Sequence, residues 1–108
     1  PQSRQQITRM KNVLTYIRNN YGEPITLDEL AAVAGMSPRY FCRAFAALTG
    51  RTPIAYLNYY RIECACERLT LTDKSVTEIA FACGFNDMSY FSRVFKQLKG
   101  TTPTAYRN

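Results

Sequence analysis

Histidine is absent from this chain of 108 residues. The usual general base near neutral pH and the commonest nitrogen ligand of zinc are therefore both missing. Acid is scarce: 8 Asp and Glu stand against 14 Lys and Arg, a formal net charge of +6. The glycines occur singly, so no glycine-rich loop is present to cradle a phosphate. No apolar run approaches the ~20 residues of a membrane span. No secretory leader is visible either, and a cytoplasmic location is expected. No long polar tract interrupts a composition that is 46% hydrophobic, which argues for a folded chain rather than disorder. These absences argue against an enzyme and against a membrane protein. Carboxylates such as Asp28, Glu29, Glu63 and Glu67 are explained as helix caps and helix surface.

Cysteine is present at Cys42, Cys64, Cys66 and Cys83, with no spacing that makes a zinc pair. On a helix Cys64 and Cys66 point to nearly opposite sides. All four are expected to be reduced thiols acting as small packing residues. The chain opens on Pro1, with the polar lead Pro1-Gln2-Ser3-Arg4-Gln5-Gln6, and is expected to be a piece of a longer protein.

The basic residues are segregated. Between Met36 and Ile62 lie Arg39, Arg43, Arg51 and Arg61, with no acid among them. Between Met88 and Asn108 lie Arg93, Lys96, Lys99 and Arg107, again with no acid. Such segregation suits a polyanion-facing surface.

An internal repeat organises the chain. Tyr40-Phe41-Cys42-Arg43-Ala44-Phe45 returns as Tyr90-Phe91-Ser92-Arg93-Val94-Phe95. The match runs on through Leu48/Leu98, Gly50/Gly100, Thr52/Thr102, Pro53/Pro103, Ala55/Ala105 and Tyr56/Tyr106. Upstream, Glu29, Ala31 and Gly35 match Glu78, Ala80 and Gly84, with one extra residue in the second copy between glycine and aromatic helix.

Each copy reads as helix, tight turn, helix. Thr26-Leu27-Asp28-Glu29 and Ser75-Val76-Thr77-Glu78 both fit a capping box. Gly35 and Gly84 end the short helices that follow, near Ala34 and Cys83. Ser37 before Pro38, and Asp87, open the second helix of each copy, and Gly50 and Gly100 close it. Residues 5–21 place Ile7, Met10, Leu14, Ile17 and Tyr21 on one face of a helix, expected to pack on the first copy rather than to form a coiled-coil seam. Pro53 to about Leu69 forms a linking helix, roughly 25 Å long at 1.5 Å per residue. The expectation is an all-α chain of about seven helices: residues 1–52 with the first helix-turn-helix, 53–70 as the link, and 71–108 with the second.

On a helical wheel Phe41, Phe45 and Leu48 form an apolar stripe, with Arg39, Arg43 and Ala46 opposite and Cys42 on the flank. In the second copy Phe91, Phe95 and Leu98 form the stripe, with Ser89, Arg93 and Lys96 opposite and Ser92 on the flank. Tyr40 and Tyr90 lie to the side, placed either to pack or to reach a phosphate. The second helix of a helix-turn-helix enters the major groove, where Arg reads guanine bidentately. A protein-binding groove would show apolar residues on this face, and A-form RNA has a major groove too narrow to read.

The segment Gly84-Phe85-Asn86-Asp87-Met88-Ser89-Tyr90-Phe91-Ser92-Arg93-Val94-Phe95-Lys96, with Gly100, Thr102-Pro103 and Tyr106-Arg107, closely resembles the signature of the AraC/XylS family. The resemblance extends from about Ile7 to Arg107. It implies a bacterial transcription regulator, often an activator. Two helix-turn-helix units, separated by a linking helix, would enter adjacent major grooves of double-stranded DNA. It also implies an N-terminal effector or dimerisation domain outside this chain, RNA polymerase as a partner, and no cofactor. The base-reading positions it implies are Arg39, Cys42 and Arg43 in the first unit and Met88, Ser89, Ser92 and Arg93 in the second. The wheel adds Lys96 and selects the others independently, Met88 excepted. Cys42 departs from the pattern, as a poor hydrogen-bonding reader suited at most to an apolar contact such as a thymine methyl group.

Overall fold

The computed structural model describes residues 3–108, and Pro1 and Gln2 of the polar lead lie outside the described residues. Seven helices and no strand occur among the described residues: α1 (Arg4–Asn20), α2 (Leu27–Ala34), α3 (Pro38–Thr49), α4 (Pro53–Leu71), α5 (Val76–Ala82), α6 (Met88–Lys99) and α7 (Pro103–Arg107). They form two compact units that divide between Leu57 and Asn58, inside α4.

Local chemistry explains the helix starts. Ser3, Thr26, Ser37, Ser75, Asp87 and Thr102 each accept a hydrogen bond from the backbone N–H three residues on. Each satisfies one of the amides that a first helical turn leaves unpaired. Both turns between paired helices close alike. The Met36 N–H reaches the Ala31 carbonyl at 3.0 Å, and the Phe85 N–H reaches the Ala80 carbonyl at 3.0 Å. This six-to-one bond needs a left-handed residue just before it. Gly35 and Gly84 supply it, with φ of 69° and 96°. The extra residue of the second copy, Asn86, follows this shared turn.

In the first unit Phe41 and Phe45 are fully buried, their centroids 5.6 Å apart, and Tyr56 meets Phe45 edge-on at 5.6 Å. In the second, Phe91 and Phe95 lie 5.7 Å apart, and Tyr106 meets Phe95 at 5.6 Å. Leu48 and Leu98, expected in the apolar stripes, are instead 42% and 39% exposed. Ala44 and Val94 are buried beside the phenylalanines.

The buried seam of α1 is Met10, Val13 and Ile17. Ile7, expected on that seam, is 37% exposed. The same three–four spacing recurs in α4 at Ile62, Ala65 and Leu69, all buried. Thus α4 has two roles. Pro53–Leu57 belongs to the first unit, as α7 belongs to the second, and the remainder serves the second unit as α1 serves the first.

Polar contacts follow the same correspondence. Gln6 of α1 donates to the Tyr40 hydroxyl, and Asn58 of α4 donates to the Tyr90 hydroxyl at 2.6 Å. Tyr16 of α1 donates to Glu29 of α2, while Arg68 of α4 approaches Cys83 after α5 at 3.2 Å. The repeat therefore begins at α1, earlier than the matching letters indicate.

The two capping boxes differ. Ser75 and Glu78 make both reciprocal bonds, at 3.1 and 3.2 Å. Thr26 caps Glu29 at 3.1 Å, but the Glu29 carboxylate is drawn to Tyr16. That bond raises the Tyr16 phenol above its ordinary pKa. The backbone and hydroxyl of Ser75 lower the carboxyl of Glu78.

None of the four cysteines forms a disulfide. Cys66 and Cys83 are buried, and burial pushes both thiols up. Among the described residues no helix is long and apolar enough to cross a membrane. Also among them, no group of three or more Cys, Asp or Glu is placed to hold a metal ion.

Candidate nucleic-acid interface

The outward face of α3 carries Arg39 and Arg43, both exposed, with Cys42 and Ala46 half-buried beside them. The outward face of α6 carries Ser89, Ser92, Arg93 and Lys96, all exposed, with Met88 half-buried at its start. Opposite these faces lie the buried Phe41, Ala44 and Phe45 in one helix and Phe91, Val94 and Phe95 in the other. Each aromatic core thus fixes the rotation of its helix, and the rotation presents the polar face. The fold brings Arg39, Cys42 and Arg43 together on one helix, and Met88, Ser89, Ser92, Arg93 and Lys96 on the other.

Small side chains on these faces matter sterically. Ala46, Ser89 and Ser92 let a helix backbone approach a partner closely while long arginines reach past them. Neither helix has an acid in its first turn. The helix start keeps its positive end of the macrodipole uncompensated, apart from the Asp87 cap of α6.

The structure removes three residues from the open basic surface expected from the charge pattern. Arg61 is 8% exposed, its guanidinium carbon 5.9 Å from the centre of the Phe85 ring. Burial lowers its pKa, with Tyr90 and Cys83 opposing that shift. Lys99 is paired with Glu63 of α4, and the hydrogen bond that it donates to that carboxylate raises the lysine's pKa. Arg107 donates to the carbonyls of Leu69 at 3.1 Å and Thr72 at 3.2 Å, tying the chain end to the end of α4. Sign alone made all three resemble Arg93, but their partners lie within the fold.

Tyr40 and Tyr90, expected either to pack or to reach a phosphate, are 44% and 37% exposed and tied to the fold through their hydroxyls, which Gln6 and Asn58 hold. Arg93 lies over the Tyr90 ring, 5.4 Å from its centre. Sequence reasoning missed Asn58 as a neighbour of this face, and no spacing signal in the chain links it to Tyr90.

Residues 30–108 match the family described as a helix-turn-helix domain. The HTH-type transcriptional activator RhaS of Klebsiella pneumoniae is 37% identical over 82 residues, covering 76% of this chain and 30% of RhaS. Among solved structures, the DNA-binding domain of the global transcriptional factor AdpA in complex with a target DNA superposes with a TM-score of 0.87 at 34% identity. The match covers 92% of this chain and 89% of that one. A transcriptional regulator of Chromobacterium violaceum with an AraC-type DNA-binding domain gives 0.85 at 29% identity, covering 94% and 90%. The chain spans 28%, 30% and 24% of the length of three curated relatives that it matches. With two like-built helix-turn-helix units and these relatives, the chain belongs to the AraC/XylS family of transcription regulators, whose helix-turn-helix DNA-binding region it spans.

Proposed function

We propose that the chain reads duplex DNA with α3 and α6, each lying in a major groove. Arg39, Cys42 and Arg43 would face one segment of an asymmetric site. Met88, Ser89, Ser92, Arg93 and Lys96 would face the other. The observation that carries this reading is the repetition of an exposed, acid-free Arg-bearing face on the second helix of both units, each backed by the same aromatic core. Arg43 and Arg93 occupy equivalent places on that face and act as bidentate readers of guanine. Lys96 meets a phosphate. Cys42 and Met88 contribute apolar contact, as to a thymine methyl group.

The AdpA domain, similar over nearly the whole chain, is solved on a target DNA, which supports duplex DNA as the ligand. The lack of histidine supports a binding role rather than a catalytic one. The matched region is only 28% and 30% of the length of two curated relatives, which supports an N-terminal effector or dimerisation domain in the whole protein. We propose further that the whole protein is a cytoplasmic regulator that contacts RNA polymerase, and the likeness to the transcriptional activator RhaS supports an activating role.

Binding-site selection from a randomised duplex library tests the assignment. Arg43→Ala and Arg93→Ala should each erase preference at a different position, losing about 1–3 kcal/mol of discrimination there. Retention of the full preference with uniformly weaker binding would make both arginines phosphate contacts and sink the base-reading role. Wild-type affinity should fall linearly in log K against log salt, because neutralised phosphates release counterions.

A further inference from the structure

We propose that Tyr90 and Asn58 are positioning residues for Arg93, holding its guanidinium pre-stacked for a base edge. The inference rests on the reading of Arg93 as a base reader.

Arg93 follows Tyr90 by one turn of α6, and its guanidinium carbon lies 5.4 Å from the centre of the Tyr90 ring. The ring is itself anchored. Its hydroxyl accepts from Asn58 Nδ2 at 2.6 Å. Its backbone N–H donates to Asp87 Oδ1 at 3.0 Å. One side lies against Phe85, with centroids 6.2 Å apart. Phe85 is 3% exposed and packs on Phe91 at 5.1 Å. A continuous path of packed groups thus runs from the core of the second unit to an otherwise exposed guanidinium.

Stacking suits a reader because of how arginine makes contacts. A planar guanidinium stacks through its face and donates through its edge. With the Tyr90 ring against one face, the N–H fork would be left for the two acceptors of guanine. A free arginine loses rotamer freedom when it docks, and that loss weakens binding. An arginine already resting on a fixed ring has given up part of that freedom beforehand. The first unit holds Tyr40 through Gln6 in the same manner. At the place of Phe85 it has Met36, which offers no ring beneath the tyrosine. The pre-stacked arrangement is therefore more complete in the second unit.

The test uses the 108-residue chain and the duplex selected from a randomised double-stranded library, with each base pair then varied singly. Arg93→Ala first marks the position that Arg93 reads. Tyr90→Leu should lower discrimination at that position about 2- to 5-fold, the size of an exposed cation–π contact. Preference in the segment read by the first unit should stay as it was. Asn58→Ala should act at the same position by a smaller factor, since the ring remains, and it keeps the test open should Tyr90→Leu fail to fold. In an Arg93→Ala background neither substitution should change discrimination further. Loss of affinity spread evenly over all positions, or unchanged discrimination at the Arg93 position in both variants, would overturn the positioning role. If Arg93→Ala itself left every preference intact, the premise would fall and the inference with it.

Discussion

In the first unit Phe41, Phe45 and Tyr56 stack at 5.6 and 5.6 Å; in the second Phe91, Phe95 and Tyr106 do so at 5.7 and 5.6 Å. Around these matched cores the tyrosine ties to Gln6 and Asn58 correspond, and other polar ties diverge. The first unit joins α1 to α2 by a tyrosine–carboxylate bond and stitches the end of α3 with Thr49, which bonds to Phe45 and Arg51. The second joins α4 to α6 by Lys99 and Glu63, and α7 to α4 by Arg107. Where Arg107 stands in the second unit, the first has Leu57, which is buried. The reason is length. Leu57 lies within a 19-residue helix, whereas α7 has 5 residues and needs another hold. The apolar core specifies the unit, and the polar ties adapt it to its place in the chain.

The matched cores are best challenged first. Phe45→Ala and Phe95→Ala should each destabilise by about 3–5 kcal/mol, since both rings are fully buried. Chemical denaturation that showed costs differing by more than about 2 kcal/mol would break the likeness between the cores.

The chain-end tie comes next. Arg107→Ala should cost about 1.5–3 kcal/mol by removing charged donors from two carbonyls. Denaturation midpoints would check this, and a value near that of a surface substitution would show that α7 is held by Pro103 and Tyr106 without the arginine.

The caps sharpen the contrast further. Ser75→Ala should cost about 1 kcal/mol, because its capping box is complete. Thr26→Ala should cost less, with Glu29 already engaged by Tyr16. The Glu78 carboxyl is held low in the folded chain, so its contribution is present above the ordinary glutamate range. It is lost as pH falls through the depressed value. Ser75→Ala should therefore flatten the acid side of the stability profile, and equal acid sensitivity in the mutant and the parent would contradict that origin.

The smallest effect is expected from Lys99→Ala, about 0.2–1 kcal/mol for a partly exposed ion pair. Its DNA affinity should change far less than that of Lys96→Ala, as gel shifts on the selected duplex would show. Equal losses would place Lys99 on the phosphate backbone despite Glu63.

Much of this was legible in the sequence. From Tyr40 onward the repeat keeps its letters, because close aromatic packing and left-handed turns admit few residue types. The α1–α4 correspondence was hidden, because Met10, Val13 and Ile17 need only be apolar and reappear as Ile62, Ala65 and Leu69. The outward faces of α3 and α6 followed from helical periodicity. The partners of Arg61, Lys99 and Arg107 did not, since charge is written in the sequence and proximity is not. The incomplete box at Thr26 had the same cause: its competitor, Tyr16, sits on another helix.

The shared helix α4 also bears on synthesis. The chain emerges from its N-terminus, and the first unit is complete once Leu57 is available to pack. At that stage the next turns of α4, which carry Ile62, Ala65 and Leu69, still lack the other helices of the second unit, α5, α6 and α7. A helix is costly to start and easy to extend. A folded first unit thus supplies a ready nucleus from which the rest of α4 can grow. The second unit then assembles on a scaffold that the first has already begun, so translation order and helix sharing work in the same direction.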